Sequence, residues 1–395
     1  MTQRYDTYKD SGVQWLGEIP GHWGCVPLKY FIETKSGTAI NVKELDDRGT
    51  YPVYGGGSQI GFCNKYNCEE TEIIVGRVGA KCGCVTFPNK KVWATDNALI
   101  IKTNLYPRFT AFVLVAADLN RLNAANAQPL ITGTKIKHVR IALPPLSEQH
   151  SIVSFLDDKC GKIDEWATKK QKKVELLQEL KQRVIADAVT QGLNPHVKMK
   201  ATNIPWLKEI PGHWGCVFIN RLFNIKAGGD VKPELYADKK DENHPFPVYT
   251  NTKSADDVYA YTSLATCPSN SITVTGRGEV GHAFFRETPY DAIVRLLSLT
   301  PKSNIICKFY AYFIDTVIPF SSDSAAIGQL SAVQIKQKHV ILPPLSEQKQ
   351  IVSYLDAKCS KIDKLIANIT KEIERIKEYK QRLISDVVTG QIKVC

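Results

Sequence analysis

The sequence predicts an α+β fold in which two mixed, β-rich domains are joined by two long helices forming an antiparallel coiled coil. The first observation is an internal repeat with pseudo-two-fold character: LPPLSEQHSIVSFLDDKCGKID, beginning at Leu143, returns as LPPLSEQKQIVSYLDAKCSKID at Leu342. The second is that the interiors of the two repeats differ. YPVYGGGSQIGF from Tyr51 stands at the position of FPVYTNTKSADDVYAY from Phe246, and the two segments are unlike after the shared PVY. The edges of each repeat are preserved, whereas its interior has diverged.

Other recurring segments set the predicted domain boundaries. KDSGVQWLGEIPGHWGCV from Lys9 returns as KATNIPWLKEIPGHWGCV from Lys200, and KQRVIADAVTQG from Lys181 returns as KQRLISDVVTGQ from Lys380. We therefore assign the first β-rich domain to residues 1–142, a central helical region to 143–200, the second β-rich domain to 201–341 and a distal helical region to 342–395.

The segments that follow the LPPLSEQ motifs are predicted to be long helices. Ser147 and Ser346 are suitable N-caps, and Glu148 and Glu347 then lie in the first turn, where the helix dipole favours negative charge. Apolar residues recur three and four positions apart, which is typical of a coiled-coil seam. The seam residues are Ile152, Leu156, Ile163, Ala167, Val174, Leu177, Val184 and Ala188, then Ile351, Leu355, Ile362, Ile366, Ile369, Ile373, Ile376, Leu383 and Val387.

A lone helix would expose this seam, so we expect the two helices to pack together. About 45 residues per helix correspond to a rod of about 65 Å, which would separate the two β-rich domains.

Within the interiors, short apolar runs predict strands around Ile74, Ile100, Ile272 and Phe284. FTAFVLVAADL near Phe112 and KFYAYFIDTVI near Tyr312 are helix candidates at equivalent places in the two repeats.

Composition limits the class of protein. The net charge of +11 favours an anionic partner, either nucleic acid or an acidic protein surface. No apolar run is long enough for a membrane span, and the polar start lacks a secretory signal, so we expect a cytoplasmic protein. The eleven cysteines then indicate reduced thiols.

The interior loops contain residue types that read nucleic acid. Arg and Lys suit guanine edges and phosphates, and Asn and Gln suit adenine, although each residue could equally belong to an ordinary solvated turn. The DNA-binding candidates are Tyr54, Gly56, Arg77, Lys81, Asn97, Gln128, Thr132, Thr134 and Lys135 in the first repeat, and Tyr249, Asn251, Lys253, Arg277, Gln329 and Ser331 in the second. We expect Arg77 and Arg277 to lie at matching points of a glycine-rich hairpin.

Three other patterns have structural interpretations. GRGEVG from Gly276 has the glycine spacing of a dinucleotide-binding loop, but a strand follows it, so a hairpin is the better interpretation. The spacing of Cys63, Cys68, Cys82 and Cys84 is poor for zinc, and we predict no metal site.

The third pattern consists of matched pairs. Cys25 with Cys216, and Cys160 with Cys359, are interpreted as buried small side chains. His22 and Trp23, which recur as His213 and Trp214, are interpreted as packing residues.

No catalytic motif is found. The sequence lacks a phosphate-binding GxxxxGK[ST] loop, an HExxH zinc motif, a GxSxG nucleophile elbow and an NPPY-type amino-methyltransferase motif. The chain is therefore expected to be non-catalytic.

The duplicated LPPLSEQ block, the EIPGHW segments and the KQR[VL]I tails together resemble the DNA specificity (S) subunit of type I restriction-modification systems, over essentially the whole chain. The resemblance implies two target recognition domains, each binding one half of a bipartite, asymmetric site in double-stranded DNA. It implies helices that space these domains and dock methyltransferase (M) subunits and a restriction (R) subunit. No cofactor is expected in this chain, since S-adenosylmethionine, ATP and Mg would belong to the partner subunits.

A different class of function remains open. The chain could instead be a protein-interaction scaffold or a solitary inhibitor of such a complex. A stand-alone nuclease or methyltransferase is disfavoured by the missing motifs.

Overall fold

The computed structural model of the protein describes residues 4–79, 81–122, 130–320 and 329–394. The chain forms two compact units. Unit 1 comprises Met1–Gln171 and Ile369–Cys395, and unit 2 comprises Lys172–Asn368. Unit 2 is therefore continuous in sequence, whereas unit 1 combines the first part of the chain with the last.

Unit 1 is built on small sheets. Its strands are β1 (Tyr8–Asp10), β2 (Glu18–Pro20), β3 (Gly24–Pro27), β4 (Ile32–Ser36), β5 (Tyr51–Tyr54), β6 (Gln59–Cys63), β7 (Ile73–Gly76), β8 (Val85–Thr86), β9 (Trp93–Ala94), β10 (Ala98–Thr103) and β11 (Arg140–Leu143). A four-stranded antiparallel sheet has the order β4-β10-β7-β8, and a three-stranded sheet has the order β6-β5-β9 with β5 and β9 parallel. β1 pairs with β2, and β3 pairs with β11.

The helices of the first repeat are α1 (Pro107–Ala116), α2 (Gly133–Lys137) and the long α3 (Leu146–Gln191). In the core of unit 1, Phe109 and Val113 of α1 pack with Ile73 and Leu99 of the four-stranded sheet. Strand residues alternate between faces, so Ile100 lies on the opposite face, in a second buried cluster. Burial on both faces explains why β10 is almost continuously apolar.

Unit 2 repeats this plan. Its strands are β12 (Met199–Ile204), β13 (Leu207–Pro211), β14 (Gly215–Phe218), β15 (Phe223–Ala227), β16 (Tyr236–Ala237), β17 (Phe246–Tyr249), β18 (Ala260–Thr262), β19 (Ser271–Val274), β20 (Ala283–Arg286), β21 (Asp291–Ala292), β22 (Leu297–Pro301) and β23 (His339–Leu342). The helices of this repeat are α4 (Ile219–Leu222), α5 (Cys307–Val317), α6 (Ala332–Lys336) and the long α7 (Leu345–Val388).

The two interiors share their strand order despite their different sequences. The sheet β15-β22-β19-β20 is equivalent to β4-β10-β7-β8, and β18-β17-β21 is equivalent to β6-β5-β9, with β16 added at the edge. The strands expected around Ile74, Ile100, Ile272 and Phe284, and the helices expected near Phe112 and Tyr312, are confirmed as β7, β10, β19, β20, α1 and α5. The fold is therefore α+β in both repeats.

The long helices are antiparallel within each unit. In unit 1, Lys380 of α7 contacts Asp164 of α3 at 2.7 Å, and Lys170 contacts Glu372 at 2.6 Å. In unit 2, Lys181 contacts Asp363 at 2.7 Å. All of the predicted seam residues are buried or half-buried, so the heptad interpretation is confirmed.

Ser147 and Ser346 are not the N-caps that we expected. The helices begin earlier, at Leu146 and Leu345, because the carbonyls of Pro145 and Pro344 accept hydrogen bonds from the backbone N–H groups of Gln149 and Gln348. The serines therefore lie inside the first turn.

Candidate nucleic-acid interface

Three loops of unit 1, those that follow β5, β7 and β9, meet at one place, which we call loop cluster 1. The N–H of Arg77 donates to the carbonyl of Asn97 at 2.9 Å, and the N–H of Thr95 donates to the carbonyl of Tyr54 at 2.9 Å. The backbones approach so closely that a Cβ on Gly76 would lie 2.4 Å from the carbonyl oxygen of Gly56. A side chain at position 76 would therefore separate these loops.

Most first-repeat candidates belong to loop cluster 1. Lys81 lies beside the GGG turn, since a Cβ on Gly57 would lie 2.7 Å from the Cβ of Lys81. Lys81 and Asn97 are exposed, whereas Tyr54 is half-buried against a small apolar cluster. The structure therefore brings Tyr54, Gly56, Arg77, Lys81 and Asn97 together.

In the described part of loop cluster 1, one nitrogen of the Arg77 guanidinium is hydrogen-bonded and another is not. Its Nη1 donates to Ser36 Oγ at 3.2 Å, while its buried Nε has no acceptor among the described residues. Since a buried guanidinium N–H without an acceptor is costly, the group is suited to gaining an anionic or carbonyl partner.

The remaining first-repeat candidates surround α2. The N–H of Ile131 donates to the carbonyl of Arg77, so the segment entering α2 reaches loop cluster 1. Thr132 is the N-cap of α2, since its hydroxyl accepts from the N–H of Lys135. Lys135 Nζ donates to the carbonyl of Leu122, and Thr134 is exposed. Gln128 lies outside the described residues.

Unit 2 has an equivalent meeting point where the loops after β17, β19 and β21 converge, which we call loop cluster 2. Asn251 fixes it: its Oδ1 accepts from the N–H groups of Gly276 and Arg277 at 2.7 and 3.2 Å. Its Nδ2 donates to the carbonyl of Val294 at 2.7 Å. Most of the hydrogen-bonding capacity of this amide is thus used inside the protein.

Other candidates in loop cluster 2 are also engaged. Exposed Lys253 forms an ion pair with Glu279, and this hydrogen bond lowers the pKa of the Glu279 carboxyl group. The backbone of Arg277 forms a β-bridge with Gln329, and Ser331 is the N-cap of α6. The segment containing Gly276 joins antiparallel β19 and β20, which confirms the hairpin interpretation.

Arg77 and Arg277 do not lie at matching points, and this expectation was wrong by one residue. The bridge between Val78 and Leu130 is the equivalent of the bridge between Arg277 and Gln329. Val78 is therefore the counterpart of Arg277. Because neighbouring residues of an extended chain point in opposite directions, the two arginines do not share an orientation.

Sequence reasoning missed two arginines at loop cluster 2. The guanidinium of buried Arg286 lies 3.5 Å from the ring centroid of Tyr249 and donates to the Thr273 hydroxyl and the Ala255 carbonyl. Burial lowers the pKa of Arg286 from its ordinary value. Its sequence context, a charged residue ending the apolar run HAFF, was the only available signal.

Arg295 is the second missed residue. It is exposed and has a φ of 63°, and the preceding Val294 has a φ of 53°. The left-handed region is unfavourable for residues with a side chain, above all for β-branched valine. Such strain is concentrated at functional sites, so Arg295 joins the candidate residues.

The two most strongly recurring motifs contact each other, forming what we call the helix latch. In unit 1, Glu148 of α3 accepts from Trp23 Nε1 at 3.0 Å and lies 2.6 Å from His22 Nε2. Tyr5 also donates to this carboxylate, at 3.0 Å. Burial opposes ionisation of Glu148, but these hydrogen bonds outweigh it and lower its pKa.

The helix latch recurs in unit 2. Glu347 accepts from Trp214 Nε1 at 3.0 Å and lies 2.7 Å from His213 Nε2. The neighbouring glutamine is used in the same way in both units: Gln149 binds the N–H of Tyr106 at the start of α1, and Gln348 binds that of Ile306 at the start of α5. The recurring motifs thus fasten each long helix to its β-rich domain.

The cysteines show no metal-site geometry among the described residues, where no cluster of His, Cys, Asp or Glu is placed to bind a metal. Burial raises the pKa of Cys68 to about 12, which disfavours the thiolate that zinc requires. Cys160 and Cys359 are buried as expected, but Cys25 is half-buried and Cys216 exposed because β3 and β14 lie in narrow two-stranded sheets.

None of the helices in the described residues has both the length and the apolar character that crossing a membrane requires.

Comparison with known proteins identifies a protein family whose model matches both repeats. Residues 20–176 and 211–375 each match the family model described as the type I restriction modification DNA specificity domain. A putative type I specificity subunit of Mycoplasma pneumoniae is 26% identical over 373 residues, which cover 90% of this chain and 96% of the relative. A putative type I restriction enzyme specificity subunit of Methanocaldococcus jannaschii is 28% identical over 277 residues, covering 68% of this chain and 62% of the relative.

The fold is also similar to a solved structure. A chain from a structural study of complex assembly and conformational transition of the type I R-M system superimposes with a TM-score of 0.67 at 16% identity. The match covers 94% of this chain and 98% of the other.

Proposed function

Since the chain belongs to the type I restriction modification DNA specificity family, we propose that it reads a bipartite, asymmetric DNA sequence through loop clusters 1 and 2. The observation that carries this proposal is the contrast between the two clusters on one shared strand order. Loop cluster 1 is formed around a glycine turn with Arg77 and Lys81, whereas loop cluster 2 is fixed by Asn251 and presents Arg277 and Arg295.

Different surfaces on equivalent scaffolds are suited to different half-sites. Identical clusters would instead favour a palindrome, because equal surfaces read equal sequences. The net charge of +11 supports attraction to the phosphate backbone, and arginine side chains are the commonest readers of guanine in the major groove.

The proposal extends to partners. We propose that this chain is non-catalytic and docks M and R subunits in the cytoplasm, and that those subunits bind S-adenosylmethionine, ATP and Mg. The repeated helix latches support this, since recurring elements in both units suit copies of the same partner. The arginine, lysine and amide side chains among the candidate residues support binding and orientation rather than bond-making.

The proposal is tested by assembling the chain with its methyltransferase subunits and determining the methylated sequence by methylome sequencing, with and without this gene. We expect one bipartite motif whose halves differ, and binding of the corresponding duplex that weakens as salt rises. Binding that is indifferent to both salt and sequence would support the interaction scaffold instead.

A further inference from the structure

A polar groove of about 740 Å³ lies on unit 2, and none of the DNA-binding candidates predicted from sequence lines it. It runs along β15, the edge strand of the four-stranded sheet. Lys226, Lys232, Lys302 and Lys336 line it. All four lysines are exposed, and none is paired with a carboxylate in the part of the chain that the structure describes. Lys302 Nζ donates to the carbonyl of Asn220 at 2.7 Å, and this neutral acceptor leaves its charge uncompensated.

Hydrogen-bonding groups lie between these lysines. Asn224 and Lys226 are two residues apart on β15 and therefore share one face of the sheet. Their partners across the ladder are Thr300 and Ser298 of β22. Lysine, amide and hydroxyl side chains on one face are the groups that bind phosphate oxygens in nucleic-acid complexes.

The carboxylates of the groove do not neutralise it. Asp291 accepts hydrogen bonds from the hydroxyls of Tyr236 and Thr266, so it is engaged within the wall. Asp230 is the other acid lining the groove. Four lysines against two aspartates leave the groove positively charged.

The groove begins at loop cluster 2. The N–H of Gly229, at one end, donates to the carbonyl of Ala292, and the carbonyl of Gly229 accepts from the N–H of Val294. Val294 in turn accepts from Asn251, which fixes the hairpin of Arg277. Along β15 the groove extends about 16 Å from this point, at roughly 3.3 Å per residue.

The matching edge strand of unit 1 has acidic neighbours where β15 has uncharged ones. On its matching strand β4, Lys35 lies 3.5 Å from the buried carboxylate of Glu72, and Glu33 occupies the position equivalent to Asn224. Lys35 is therefore the neutralised counterpart of Lys226.

We propose that this groove binds the phosphodiester backbone of duplex DNA flanking the half-site read by loop cluster 2, without regard to sequence. The inference rests on the proposed DNA-binding function. DNA is favoured over an acidic protein because the groove continues directly from the cluster that contains the exposed arginines.

The test compares the assembled complex containing wild-type chain with one containing Lys226→Ala/Lys302→Ala/Lys336→Ala. The affinities of the complex for a duplex carrying the sequence that it methylates and for a duplex of unrelated sequence are measured at about 50 to 200 mM salt. Each phosphate that a lysine no longer neutralises should reduce the slope of log affinity against log salt by roughly 0.9, so by about 2.7 for all three. Both duplexes should bind more weakly by the same factor, leaving discrimination unchanged.

Lys35→Ala is the matched control and should leave the slope unchanged, and replacing all three groove lysines by arginine should preserve it. The single charge-reversal variant Lys226→Glu repeats the test with only one exposed residue replaced. Hydroxyl-radical footprinting of the triple variant should show that protection disappears only beside the half-site of unit 2.

Three results overturn the inference. The first is a triple variant with unchanged affinity and slope while the wild-type complex binds its own duplex, which leaves the proposed function intact. The second is dissociation of a methyltransferase subunit from the triple variant in gel filtration, which identifies an acidic protein partner. The third is a wild-type complex that does not discriminate between duplexes, which removes the proposed function as well.

Discussion

Unit 1 and unit 2 have the same strand order in their four-stranded sheets, the same helix latch and the same antiparallel helix pairing, yet their loop clusters differ. Loop cluster 1 is closed by backbone contacts that include the close approach of Gly76 to Gly56, whereas loop cluster 2 adds the side chain of Asn251 to its backbone contacts. Tyr249 is stacked under Arg286, but the position equivalent to Arg286 in unit 1 is Pro88. The comparison teaches that residues fastening the helices recur, while residues closing the loops are free to diverge.

The most far-reaching way to break this comparison is to exchange one interior. Replacing residues 24–143, from β3 to β11, with the equivalent segment of a relative should change one half of the methylated sequence completely and leave the other half intact. Methylome sequencing of cells carrying the chimera measures this. A change in both halves would contradict independent units.

The helix latch provides the next largest effect. Among the described residues, Glu148→Ala removes three hydrogen bonds to a carboxylate and should lower the free energy of unfolding by about 2–3 kcal/mol, whereas Glu347→Ala removes two and should cost about 1.5–2 kcal/mol. Urea titration followed by tryptophan fluorescence measures both, since Trp23 and Trp214 are the donors. Equal stability of both variants and the wild type would show that the latch contributes nothing.

Acid should weaken the latch of unit 1. Because the folded state lowers the pKa of Glu148, its contribution is fully present above the ordinary carboxyl pKa and is lost as the pH falls through the lowered value. The stability difference between wild type and Glu148→Gln should therefore be constant near neutral pH and shrink between about pH 5 and 3. Urea titrations at several pH values measure this difference, and one that grows in acid would reverse the assigned sign.

The helix caps beside the loop clusters give the smallest effect and sharpen the comparison. Thr132→Ala and Ser331→Ala each remove one side-chain acceptor at the start of α2 or α6 and should cost about 1 kcal/mol. If capping is their main role, discrimination between duplexes should stay within about twofold of wild type in a competition assay. Weaker discrimination at one half-site would instead indicate a contact with DNA.

The sequence predicted elements that depend on local patterns. The heptad spacing predicted the helix seam, and short apolar runs predicted β7, β10, β19 and β20. Tyr54, Gly56, Arg77, Lys81 and Asn97 were predicted as loop residues, but their convergence in one cluster was not, and their contact with DNA stays a prediction.

What the sequence did not reveal depends on long-range partners. The helix latch joins Trp23 to Glu148, which lie in separate motifs, and nothing local links them. Asn251 was predicted to contact DNA from its residue type alone. Its hydrogen bonds to the Arg277 hairpin and to Val294 form only in the folded unit, so the sequence does not show them. The one-residue offset between Arg77 and Arg277 could not be predicted, because the loops between the matched strands differ in length and the sequence alone does not align them.

The composition of unit 1 has a consequence for synthesis on the ribosome. Its core contains Leu383, Ile384, Val387 and Val388 of α7, and Gly390 lies against Pro20 and Trp23. Unit 2, by contrast, is continuous in sequence, and all of its residues have been translated once Asn368 is added. The part of unit 1 that precedes unit 2 in the sequence must therefore wait for residues that are translated after unit 2 before its core is complete, and a premature stop codon near residue 380 would damage unit 1 rather than unit 2.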